Sequence, residues 1–172
     1  MRRIRYSVAM SLDGYIAGPK GEADWIIMDP EIDFQELFRQ FDTMLLGRVT
    51  YEAVLKQGGG GAMPGMKTYV FSKTLLQKDH PEVTLVTENA KRTLAALKRA
   101  PGKDIWLMGG GGLFRSLLDL GMADTVEVAI VPVLLGGGVP LVPAPGKSAK
   151  LRLTNQRVYQ TTGIVALEYA VR

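Results

Sequence analysis

Short apolar runs separated by amphipathic stretches set the rhythm of the first two thirds of the chain. Ile4, Tyr6 and Val8 alternate with polar neighbours and predict an opening strand, and compact apolar runs recur at 44–46, 68–71, 84–86 and 105–108. Runs of this length read as central strands buried on both faces. Between them the period lengthens. Phe34, Leu37, Phe38 and Phe41 fall at i, i+3, i+4 and i+7, the stripe of a helix, and Asp33 and Glu36 have the spacing of a capping box. A second helix is predicted after Thr50, through Tyr51, Val54 and Leu55. Asn89 is placed to cap a third, running from Ala90 towards Arg99 with Leu94 and Leu97 inward, before Pro101-Gly102 stops it. A fourth begins at about Leu113 and closes near Gly121.

Beyond that helix the pattern is of strands alone, at 125–133, 151–159 and 163–171, with residues 160–163 as a hairpin turn. Strands separated by helices and followed by a run of hairpin-linked strands give an α/β, three-layer arrangement. Its mixed, mostly parallel sheet has about eight strands, helices on both faces and an antiparallel C-terminal end. A length of 172 residues suits one domain, 1–172.

Composition removes several classes of function. There is no cysteine, hence no disulfide framework, thiolate nucleophile or cysteine-held metal, and no metal is expected. The lone His80 stands in a polar stretch, Gln-Lys-Asp-His-Pro-Glu, and reads as a surface residue. The 21 basic and 17 acidic residues leave a net charge of +4, with the basic residues dispersed rather than clustered. That excess suits a phosphorylated ligand and not a nucleic-acid-tracking surface. No apolar run is long enough for a membrane span, and the charged N-terminus has no apolar core behind it, so a cytoplasmic location is expected.

The densest chemical signal is Gly109-Gly110-Gly111-Gly112, lying between the run 104–108 and the helix that follows. Glycines let backbone N–H groups approach a ligand, and the helix N-terminus adds the positive end of its dipole, so a dinucleotide pyrophosphate is the expected occupant. Gly112 is followed by Leu113 and Phe114 rather than by Lys and Ser or Thr, which excludes a Walker loop. The late position of the glycines also departs from a Rossmann fingerprint, which opens its unit.

Three further segments complete a pattern: Ser11-Leu-Asp-Gly-Tyr-Ile-Ala17, Leu46-Gly-Arg-Val-Thr-Tyr-Glu52 and Val131-Pro-Val-Leu-Leu-Gly-Gly-Gly-Val-Pro-Leu141. Taken in order with Met108-Gly-Gly-Gly-Gly-Leu-Phe114, they resemble the dihydrofolate reductase-like superfamily. The resemblance is to its stand-alone branch similar to the RibD C-terminal reductase domain of riboflavin biosynthesis, and it spans nearly the whole chain. It implies NADPH as cofactor, with reduction of a small heterocyclic or carbonyl substrate, a 5-amino-6-(5-phosphoribosylamino)uracil reductase-like activity being the family-level expectation. A pteridine reductase and a catalytically idle nucleotide-binding module on the same fold are the alternatives.

The same resemblance implies roles for individual residues. Gly47, Arg48, Val49 and Thr50 would meet the pyrophosphate and the adenosine 2′-phosphate, with Ser72 and Lys73 as the second half of a basic clamp. Met108, Gly109, Gly110, Gly111, Gly112, Leu113 and Phe114 would complete the phosphate cradle, and Ala9, Ile16 and Ala17 the nicotinamide wall. Met10 and Trp25 are the substrate-side candidates, Trp25 standing in a lid over residues 18–29. Glu31 is the candidate for the acidic group that binds a heterocycle, and Asp13 is a second candidate, although its Asp-Gly setting also suits a turn. The Asp-Pro-x-Leu-Thr-x-Arg ribose-phosphate segment of the riboflavin enzymes is missing, replaced by the glycine-rich residues 57–65. Terminal strands rich in Val, Leu and Tyr, like the family, imply a homodimer.

Overall fold

Alternation on the opening strand puts Ile4 and Tyr6 against one layer of helices and Arg5 and Ser7 towards the other. In the computed structural model, which describes residues 1–172, this strand is β1 (Ile4–Ser11). The chain continues through β2 (Tyr15–Ala17), α1 (Phe34–Arg39), β3 (Phe41–Gly47), α2 (Arg48–Lys56), β4 (Lys67–Phe71) and β5 (Thr84–Val86). There follow α3 (Ala90–Arg99), β6 (Asp104–Gly109), α4 (Gly111–Asp119), β7 (Thr125–Val131), β8 (Val139–Pro140), β9 (Leu151–Tyr159) and β10 (Ile164–Val171). Eight strands form one sheet in the order β5-β4-β3-β6-β1-β7-β10-β9, and β2 pairs with β8 in a separate ribbon. Pairing is parallel from β5 across to β7, while β10 runs antiparallel to both β7 and β9. This is the α/β, mostly parallel arrangement with an antiparallel end that the pattern predicts.

Two cores follow from strand alternation. On one face Ile4, Tyr6, Leu45, Ile105 and Leu107 pack against Leu94 of α3 and against Phe114 and Leu117 of α4. On the other, Met44, Leu46 and Val70 pack against Tyr51 of α2, with Trp106 and Met108 beside them. Fully burying a side chain of this size contributes about 1.5 to 3 kcal/mol, so these two clusters hold the strand ends in place.

The element boundaries carry four corrections. Phe41, expected on the first helix, opens β3 and is buried, because α1 ends at Arg39 and the Arg5 guanidinium lies 4.8 Å over the Phe41 ring. Asn89 precedes α3 with φ 51° and makes no side-chain capping bond. The α2 helix begins at Arg48 and α4 at Gly111, so Arg48, Thr50, Gly111 and Gly112 are first-turn residues rather than loop residues. His80 is not a free surface group, since its Nδ1 lies 2.9 Å from the buried Tyr51 hydroxyl, which also donates to Glu82. Asp33 does cap α1, accepting from the Glu36 N–H at 2.9 Å.

Candidate active site

The site begins where β1 and β6 part. Their pairing ends at Tyr6 and Leu107; beyond it β6 follows β3, whereas β1 stays with β7 as far as Ser11 and Val131. Successive residues of a strand direct their backbone groups to opposite neighbours. The Arg3 carbonyl accepts from Ile105 of β6 at 2.8 Å, and the Ser7 carbonyl accepts from the Trp106 indole at 3.0 Å, so the odd residues of β1 face β6. Ala9 therefore directs its N–H and C=O into the gap. A cleft of about 1500 Å³ opens there, lined by Ala9, Ile16 and Ala17 on one side and by the ends of β3 and β6 on the other.

Two helices point their N-termini into the cleft. Gly47 precedes α2 and Gly110 precedes α4, and neither offers a side-chain cap, so the first N–H groups of both helices stay available to a ligand. Thr50 of α2 lies directly over the glycines. A Cβ on Gly110 would come within 3.0 Å of Thr50 Oγ1, and one on Gly109 within 3.4 Å of Thr50 Cγ2. A Cβ on Gly111 would lie 2.5 Å from the Pro140 carbonyl oxygen, whereas one on Gly112 would meet nothing within 4 Å. The glycines at 110 and 111 thus let three segments meet, and Gly112 leaves the amides open. Gly47, Arg48, Val49, Met108 and Leu113 line the same cleft. Arg48 reaches outward and is held by Glu52, with its Nη1 3.0 Å from both carboxylate oxygens.

Several sequence-derived candidates lie elsewhere. Phe114 is buried and stacks on Tyr6, with ring centroids 4.0 Å apart, so it belongs to the core under the cradle. Met10 faces the same core, because β1 alternates and Ala9 takes the cleft side. The Ser72 hydroxyl accepts from the Thr74 and Leu75 N–H groups at 3.2 and 3.1 Å and thereby shapes its own turn; Lys73 beside it is exposed, and only Phe71 of that strand end lines the cleft. Asp13 is outside the cleft. Its carboxylate accepts from Ser11 Oγ at 2.6 Å and from the Leu135 and Gly136 N–H groups at 3.1 and 2.7 Å. Those bonds, the Ser11 one foremost, hold its pKa below the ordinary carboxylate value. They tie the turn after β1 to the loop after β7. Trp25 packs beside Val131, Tyr159 and Ile164 and donates to the Glu22 carbonyl at 3.1 Å, and it is not in the cleft wall.

Glu31 does line the cleft, where it pairs with Arg157 of β9 at 2.8 Å, both side chains about half exposed. Its neighbour Asp29 is only 2% exposed and accepts from Thr162 Oγ1 at 2.6 Å and from the Glu31 N–H at 2.8 Å. The Thr162 bond is the main cause of an Asp29 pKa below the ordinary value. Deeper in the cleft Arg5 grips Glu127 through two bonds, 2.6 and 2.8 Å, and Gln40 through a third at 2.6 Å. Burial alone would lower the Arg5 pKa, and the Glu127 bond and charge, together with the charges of Asp104 and Glu168, outweigh it and raise it. Sequence reasoning missed Ser7, Phe38, Trp106, Arg157 and Tyr159 as lining residues. Strand alternation could have given Ser7 alongside Ala9; nothing local marks Arg157, which arrives from the far end of the chain.

Known proteins share this architecture. A model of the RibD C-terminal domain family matches residues 2–166. The uncharacterized protein YyaP of Bacillus subtilis (strain 168) is 35% identical over 179 aligned positions, spanning 98% of this chain and 94% of its own. Among solved structures, a protein from Shewanella sp. PV-4 assigned to riboflavin biosynthesis superposes with a TM-score of 0.83 at 28% identity, covering 100% of this chain and 99% of the other. Enterococcus faecalis dihydrofolate reductase, solved with NADP(H), shares the fold at a TM-score of 0.68 and 18% identity, covering 98% and 94% of the two chains. Matched by the family model from residue 2 to residue 166 and sharing its fold with a dihydrofolate reductase, the chain belongs to the RibD C-terminal domain family and has the dihydrofolate reductase-like fold.

Proposed function

We propose that residues 1–172 act as one domain and that this domain is an NADPH-dependent reductase of a small heterocyclic or carbonyl compound. The observation that carries the reading is the convergence of two uncapped helix N-termini, joined across Thr50 and Gly110, beside a backbone gap at Ala9. The donor set fits the cofactor. First-turn amides at Gly111 and Gly112, with the Thr50 hydroxyl, suit a pyrophosphate, and Gly112 leaves the approach clear. The Ala9 N–H and C=O form the donor and acceptor pair that a carboxamide requires, and Ile16 and Ala17 supply an apolar wall for its ring. Arg48, exchanging Glu52 for a phosphate, distinguishes NADPH from NADH.

Bound there, reduced nicotinamide would supply a hydride to a C=N or C=O carbon of the acceptor. The protein's contribution is positioning and exclusion of water. The β1 edge fixes the depth of the ring, and Glu31, Phe34, Phe38 and Trp106 bound the space beside it. The Enterococcus faecalis structure was solved with NADP(H), which supports the cofactor assignment through the shared fold. Family membership alone would point to 5-amino-6-(5-phosphoribosylamino)uracil as acceptor, and the charges that line the cleft decide between it and an unphosphorylated compound. The long free edge of β9, with Leu151, Leu153 and Val158 exposed, supports a homodimer.

Calorimetric titration of the purified chain with NADPH and NADH tests the reading. NADPH is expected to bind more tightly, and Arg48→Ala to remove about 1 to 3 kcal/mol of that preference. Equal affinity for the two cofactors in the unmutated protein would overturn the assignment.

A further inference from the structure

All but one of the cations lining the cleft are matched to a carboxylate. Glu31 and Arg157 pair at 2.8 Å, and Arg157 also lies 4.5 Å over the Tyr159 ring. Arg5 is held by Glu127, Gln40 and Phe41, and Arg3 by Asp104 at 2.6 Å. The lining cation without a carboxylate partner is Arg152. Register places it opposite Ala170, then Thr125, then Arg5, four residues before Ala9 and three strands away. That is roughly 13 Å along the strands and 14 Å across them. Residues 57–65 contain no basic side chain. A phosphate at the acceptor end would have to take Arg157 from Glu31 and then lie beside a freed carboxylate.

The remaining wall is apolar and largely aromatic. The Phe38 ring lies 5.2 Å from that of Trp106 at a tilt of 40°, Phe34 lies 6.1 Å from Phe38 at 37°, and Ile27 and Met28 are left 41% and 63% exposed beside the same cleft. Ser7 and Tyr159 are neutral polar residues in the same lining. Resting on the reductase reading above, we infer that the acceptor is an uncharged, planar, conjugated carbonyl compound carrying no phosphate. The Glu31–Arg157 pair is the device that rejects anionic relatives. Such a ring buries its faces against Phe38 and Trp106 and leaves the ion pair intact, whereas an anion breaks it.

The probes are 1,4-naphthoquinone and its 2-sulfonate, which share a ring and differ in charge. Binding is read from quenching of tryptophan emission, Trp106 forming part of the wall, with and without NADPH; the chain has no thiol for the quinones to alkylate. The neutral ring is expected to bind about tenfold more tightly than the sulfonate, and NADPH oxidation to follow the same order. In Glu31→Gln, which frees Arg157, the neutral-to-sulfonate ratio should fall at least about threefold. Equal or tighter binding of the sulfonate by the unmutated chain, no binding of the neutral ring, or an unmoved ratio in Glu31→Gln would each overturn the inference. A parallel NADPH titration separates the two failures. Retained cofactor binding confines the error to the acceptor class, and lost cofactor binding removes the reductase reading as well.

Discussion

Gly112 and Gly110 differ in a way that only the structure reveals. A methyl group on Gly110 would press on Thr50 Oγ1 at 3.0 Å, whereas one on Gly112 would project into open space at the helix mouth. In the first turn of a helix an alanine is favoured over glycine, by up to about 1 kcal/mol. Gly112→Ala is therefore expected to melt at or slightly above the parent temperature, yet to bind NADPH about tenfold more weakly because its methyl group covers the amides. Calorimetry paired with thermal melting checks both halves. Unchanged NADPH affinity in a folded Gly112→Ala protein would mean that the pyrophosphate lies elsewhere. The residue scale was also where sequence reasoning was least reliable. Motif order pointed to the glycines and to Gly47–Thr50, all of which line the cleft, but it carried Phe114, Ser72 and Met10 along with them. Burial and side-chain direction depend on which face of an element a neighbour covers, and a motif does not state that.

Elements place the cleft through a few polar ties. Asp13 joins the β1 turn to the loop after β7, and Asp29 joins the segment before α1 to Thr162 in the β9–β10 turn. Because its folded-state pKa is depressed, Asp29 contributes stability above the ordinary value of 3.8 and loses it as the pH falls through the lowered value. Asp29→Asn should be less stable than the parent near neutrality and should show a shallower loss of stability below about pH 4. Chemical denaturation followed by circular dichroism from pH 2 to 7 measures this; parallel curves for the two proteins would remove Asp29 from the acid-sensitive ties. Strand and helix positions were largely legible, since periodicity is local. The β2–β8 ribbon was not, because strands of 3 and 2 residues are too short to show a period.

At the scale of the whole molecule, the arrangement of layers could be read from the succession of strands and helices, and the parting of β1 from β6 could not. That gap depends on pairings between strands about 60 to 120 residues apart, and it creates the free backbone at Ala9. The open edge at β9 is a second global feature. Sedimentation velocity is expected to find a dimer, and Leu153→Lys to shift it towards monomer by placing a charge on the exposed strand; a monomer at all concentrations in the parent protein would contradict this use of the edge. The central claim is that two helix mouths and one strand edge form a nicotinamide-cofactor site. It is tested most directly by a crystal structure of the chain grown with NADPH. The expected result is a pyrophosphate on the Gly111 and Gly112 amides beside Thr50, a carboxamide on the Ala9 backbone and a 2′-phosphate on Arg48. Cofactor bound away from the glycines, or a cleft that excludes it, would contradict the account.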